Sequence, residues 1–137
     1  MSAENKALFQ DFIDGMNNQD HTFFDRLIDP NFVDHDPAPG QAPGLQGIKD
    51  LMKMLFTAFP DIHVTIDHVV ADGDTVAGAV TTTGTQDGDF MGIPKSGKKI
   101  SMREIHMMRV ADGKMVEHWG LGDSMSMMQQ LGVLDQE

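Results

Sequence analysis

The chain has no cysteine. That excludes a disulfide framework and a thiol nucleophile. Basic residues are scarce: 10 Lys and Arg stand against 21 Asp and Glu, a formal net charge of −11. A chain so acidic repels nucleic acid and anionic membranes, so neither is an expected partner. Neutral or cationic ligands suit it, although an acidic surface also serves solubility. No apolar run approaches the ~18 residues of a membrane span. Met1 to Gln10 lacks a basic stretch followed by an apolar one, so no secretory signal is expected and the expected location is cytoplasmic. Internal repeats, linkers and low-complexity tracts are also missing. The 137 residues read as a single domain over 1–137. A chain of that size can bury roughly 70% of its unfolded surface.

What is present falls into two halves. Leu8, Phe9, Phe12, Ile13 and Met16 recur at helical spacing and predict a helix over residues 3–17. Phe23, Phe24, Leu27 and Ile28 form a second helical stripe ended by Pro30. Asp34-His35-Asp36-Pro37 reads as extended, because proline disfavours the helical conformation just before it. Pro39-Gly40 and Pro43-Gly44 then predict a loop. Ile48, Leu51, Met52, Leu55 and Phe59 predict a helix that starts at Gly47 and stops before Pro60. Beyond it the period changes to two. Ile62, Val64 and Ile66 begin a strand, Thr75–Thr85 a second, Ile100–Val110 a third and Met115–Trp119 a fourth. Asp72-Gly73 and Asp112-Gly113 are turns between them. Ser124–Leu131 reads as a terminal helix closed by Gly132. Helices first and a meander second predict an α+β fold: a curved antiparallel sheet whose concave face packs on helices around one pocket.

Alternation sorts the candidate residues by face. Glu104, His106 and Met108 share one face of the third strand, and Ile105, Met107 and Arg109 the other. Val116 and His118 share a face of the fourth; Met115, Glu117 and Trp119 take the other. Which face lines the pocket is open at this level. His21, His63 and His68 are expected at the surface. Asp34, His35, Asp36, His106 and His118 include ligand types, but no His-x-His or His-x-x-x-His spacing occurs, so no metal is expected. Gly40, Gly44 and Gly47 do not join a strand to a helix as a dinucleotide loop would.

Five segments in order carry a resemblance. They are Val33-Asp34-His35-Asp36-Pro37, Phe59-Pro60-Asp61, Gly84 through Pro94, Gly97-Lys98-Lys99-Ile100, and Asp112 through Trp119 followed by Asp123. In spacing and type they resemble the SnoaL-like polyketide cyclases, or ester cyclases, of the NTF2-like superfamily. The resemblance implies a cone-shaped α+β barrel, a homo-oligomer such as a dimer, no cofactor, and a small hydrophobic or aromatic-type substrate. It implies ring closure by intramolecular aldol condensation, with an Asp as acid/base. The matching Asp is Asp123, and the matching pocket histidines are His35, His106 and His118. Trp119, Glu104, Met108 and Phe59 are the expected substrate contacts.

Elementary chemistry agrees with that activity. An aldol closure needs a base for an activated C–H and donors for the enolate oxygen. Burial raises a carboxyl pKa and makes the group a stronger base, and imidazoles can donate or shuttle protons. Plainer roles compete. Asp123 is also a favoured N-cap for the last helix, His35 lies between two acids that can satisfy it, and Trp119 can be core. Two other functions stay open. One is an isomerase, or an epoxide hydrolase for which Glu104 with Arg103 or Arg109 are the candidates. The other is ligand binding without turnover.

Overall fold

A computed structural model describes residues 2–20 and 22–133, so the surface position expected for His21 lies outside the described residues. Helix α1 spans Ser2–Asn17 and buries Leu8, Phe9, Phe12, Ile13 and Met16, the stripe its period predicts. One short turn follows, α2 at Phe24–Leu27. Ile28 is also buried but already extended, and it opens strand β1, Ile28–Asp34. The expected helical stripe is therefore cut short by a strand that periodicity did not reveal. Pro30 sits inside it without harm, because β1 is an edge strand and its pairing slips between Ile28 and Val33.

Helix α3 covers Gly44–Ala58, starting before the predicted Gly47. Strands β2 (His63–Asp72), β3 (Thr75–Thr85), β4 (Lys99–Ala111) and β5 (Lys114–Gly122) follow, and then α4, Ser124–Gln130. At the β4–β5 turn Asp112 and Gly113 both take positive φ, 52° and 74°, as a two-residue hairpin loop of matching twist requires.

The five strands run in the order β1-β5-β4-β3-β2. β2 through β5 pair antiparallel, but β1 pairs parallel to β5. The sheet is thus mixed rather than wholly antiparallel, and it is curved but open, with β1 and β2 as free edges instead of a closed barrel. The α+β expectation otherwise holds. α1 packs on β2 and β3, α3 on β1, and α4 on β4. One contact sets how closely α1 approaches: the Phe9 ring rests on Gly78 of β3, where a Cβ would lie 2.4 Å from the ring tip. The loop between β3 and β4 is held by buried Gln86. Its Nε2 donates to the carbonyls of Ile93 and Pro94, and its Oε1 accepts from Ser96 Oγ.

Candidate active site

The helices and the sheet enclose a cavity of about 400 Å³. That suits a small organic ligand. Its walls are mostly apolar: Phe9, Phe12 and Met16 from α1, Leu51, Met52 and Leu55 from α3, and Phe59, Phe90, Met102 and Met108 around them. No Lys or Arg among the described residues lines it.

The sheet supplies the polar part. On β4 the even positions 104, 106 and 108 turn inward and the odd ones turn out. On β5 His118, Gly120 and Gly122 line the cavity. The register sets His106 opposite Gly120 and Met108 opposite His118, so the two imidazoles stand diagonally across Gly120. Glycine is what lets the two rings meet there. A Cβ on residue 120 would lie 2.7 Å from both His106 Nδ1 and His118 Nε2. Without it the rings meet: Nδ1 of His106 is 2.8 Å from Nε2 of His118.

Carboxylates close both ends of the pair. His118 Nδ1 lies 2.9 Å from Asp34 Oδ1, brought alongside by the parallel β1–β5 pairing. His106 Nε2 lies 3.1 Å from Glu104 Oε2. The ends are themselves held. Asp34 accepts from the Asp36 backbone N–H at 3.0 Å and from Gln41 Nε2 at 3.1 Å. Thr82 Oγ1 donates to Glu104 Oε1 at 2.6 Å. Asp36 lends its own carboxylate to the Gly120 N–H at 2.8 Å, which ties the loop after β1 to β5.

Burial pushes both end carboxyls up. For Asp34 the hydrogen bond and charge of His118, with the Asp36 N–H and Gln41, outweigh it and hold the group below its ordinary value. For Glu104 the bond and charge of His106, with Thr82, do the same. Both therefore sit in the cavity wall as anions.

The structure brings together Glu104, His106, His118, Met108 and Phe59, all lining the cavity. It places His35 and Trp119 elsewhere, on the other side of β5. His35 Nε2 is 2.8 Å from Glu117 Oε2, and its ring lies flat on Trp119 at 4.7 Å. Arg109 donates to the same Glu117 through Nε. Asp123 is exposed, and its Oδ1 accepts from Ser126 N at 3.1 Å as the cap of α4. Its neighbours Gly122 and Ser124 line the cavity. His63 and His68 are exposed, as expected.

Sequence reasoning missed Asp34 and Thr82. The signal for Asp34 was alternation: in Asp34-His35-Asp36 the middle side chain points away from its neighbours. Choosing the acids over the histidine needs the parallel register with His118, which no local pattern shows.

Comparison with known proteins places the chain by family and fold. Residues 6–131 match the family model described as SnoaL-like polyketide cyclase. The aklanonic acid methyl ester cyclase DnrD of Streptomyces peucetius is 26% identical over 106 residues, 77% of this chain and 71% of that protein. TsrD from Streptomyces laurentii superposes with a TM-score of 0.88 at 28% identity, covering 96% of this chain and 97% of its own. IdmH from Streptomyces antibioticus is 33% identical, with a TM-score of 0.82 over 94% of this chain and 99% of its own. The chain belongs to the SnoaL-like polyketide cyclase family.

Proposed function

We propose that the chain catalyses cofactor-free acid/base ring closure, of the intramolecular aldol type, on a polyketide or related neutral small molecule. The observation that carries this reading is the Asp34–His118–His106–Glu104 cluster in the wall of an otherwise apolar cavity. Glu104 is the base in this scheme. It takes a proton from a carbon flanked by carbonyls, and the cluster returns a proton to the oxygen that gains charge. The apolar walls hold the flexible ligand folded, so that nucleophilic and electrophilic carbons meet. Met108 and Phe59 are part of that wall. An epoxide hydrolase on this scaffold would need an arginine at the cavity, and Arg103 and Arg109 both stand off it. In this reading the protein works in the cytoplasm as a homodimer. Among the described residues no helix is long and apolar enough to cross a membrane.

One observation favours a second base. Asp123 stands between two lining residues, Gly122 and Ser124, at the cavity rim. A change of rotamer would trade its cap bond for the ligand.

A carbon-acid assay separates the readings. Methyl 1-oxotetralin-2-carboxylate, a β-keto ester that cannot cyclise, exchanges its acidic C–H for deuterium wherever a positioned base meets it. Catalysed exchange is expected from the wild type. Glu104→Gln should lower it about 10²–10⁴-fold, the range for a positioned acid/base, while Asp123→Asn leaves it unchanged. The reverse pattern moves the base to Asp123. A wild type that binds the ester without exchange supports ligand binding alone.

A further inference from the structure

Three contacts join the four side chains of the cluster: Asp34 Oδ1 to His118 Nδ1, His118 Nε2 to His106 Nδ1, and His106 Nε2 to Glu104 Oε2, at 2.9, 2.8 and 3.1 Å. At such distances each contact holds a proton, since two facing lone pairs would repel. A neutral imidazole brings one N–H and one lone pair, and an ionised carboxylate brings none. Two neutral rings between two carboxylates therefore supply two protons for three contacts. No choice of tautomers repairs the deficit.

The neighbours do not repair it either. Asp36 N–H, Gln41 Nε2 and Thr82 Oγ1 all donate to carboxylate oxygens, and none offers a proton to a ring nitrogen. Among the described residues, the remaining charged side chain on the cavity wall is Asp36, a further acid. The faces of α1 and α3 that line the cavity are apolar, with Phe9, Phe12, Leu51 and Met52 among them.

We propose that the resting site stores one proton in excess, shared by the His106–His118 pair and clamped between Asp34 and Glu104, so that it is an acid and a base before any ligand arrives. The inference rests on the acid/base reading above and adds where the returning proton comes from. Four groups with three protons carry one negative charge instead of two. That relieves a half-buried site of like-charge repulsion. Ring closure then balances inside the cluster. The C–H bond breaks, its proton goes to Glu104, and its electron pair becomes the enolate. The enolate carbon attacks the ligand's carbonyl carbon, the C–C bond forms and the carbonyl electron pair moves to oxygen. That oxygen takes a proton from the cluster, which regains its resting count. Bulk water enters at no step.

The test reads protons directly. In the full chain, labelled with ¹⁵N-histidine and free of ligand at pH 7, the assigned ring nitrogens of His106 and His118 report how many are protonated. Three protonated nitrogens, averaged over the two rings, are expected. Two would overturn the proposal. Glu104→Gln sharpens the outcome, because the Gln amide donates its own N–H to His106 Nε2 and makes the stored proton unnecessary. The count should fall to two in that variant, and a count that stays at three overturns the role given to Glu104. The wild-type spectrum decides even where the variant fails to fold. This measurement is independent of turnover. Carbon-acid exchange beside a neutral pair sinks only the stored proton, and a charged pair without exchange sinks only the catalytic reading.

Discussion

Gly120 shows how much one missing side chain can decide. Its place opposite His106 puts the space of its absent Cβ at the point where the two rings meet. Gly120→Ala should drive His106 and His118 apart and break their contact, with the backbone left in place because φ at this residue is not positive. The variant should fold, and it should lose carbon-acid exchange by at least about tenfold. Exchange at the parent rate would show that the ring–ring contact does not matter to the base. The sequence pointed to His106 and His118 through the family resemblance and to Glu104 as a substrate contact, while alternation put Glu104 beside His106 without saying which face turns inward. It pointed to His35 with equal force. In the structure His35 turns to Glu117 and Trp119 on the far side of β5, while the acids beside it turn toward His118 and Gly120. A run of Asp-His-Asp does not say which parity faces inward until the strand has a partner.

At the scale of elements, hydrophobic period predicted α1, α3 and the four antiparallel strands to within a few residues, since each has one dry face and one wet one. β1 was hidden for the same reason: as a short edge strand holding Pro30 and pairing out of register, it shows no clean alternation. Two element contacts lend themselves to measurement. Phe9 on α1 packs against bare backbone at Gly78, so Gly78→Ala must push the helix off the sheet or twist the ring. The expected loss is about 1–3 kcal/mol, the usual range for overpacking a filled core, read as a lower urea midpoint. An unchanged midpoint would mean that α1 is loosely docked. The second contact is the cap of α4. Asp123→Ala removes the acceptor for Ser126 N–H and should cost about 1 kcal/mol, while Asp123→Asn, also a good cap, should cost a few tenths. Equal losses in the two variants would mean that the cap contributes nothing.

At the scale of the whole molecule, the outer face of the sheet bears on the proposed dimer. Ile105 and Leu121 face each other across β4 and β5 and are 62% and 76% exposed, with Met107, also exposed, opposite Trp119. Ile105→Lys should shift sedimentation toward the 15.1 kDa monomer if a second copy covers this face. A wild type that already sediments as a monomer at micromolar concentration removes the dimer. Acid stability tests the interior of the same sheet. Asp34 and Glu104 are both held below the ordinary carboxyl values of 3.8 and 4.5, burial being outweighed in each by its histidine and its other donors. A carboxyl whose value is lower in the folded state binds its proton more readily in the unfolded chain. Its contribution is therefore fully present above the ordinary value and is lost as pH falls through that value toward the folded one. Unfolding free energy should thus stay level with respect to these two groups from neutral pH to about pH 5, then drop steeply toward pH 3. Asp61, held low by Thr85, and Glu117, held low by His35 and Arg109, add to the same slope. Glu104→Gln has no proton to gain, so its urea midpoint should fall less between pH 5 and pH 3 than that of the wild type, whatever its starting stability. Parallel falls in the two proteins would show that Glu104 titrates alike folded and unfolded, and that the histidine at its side does not hold it as an anion.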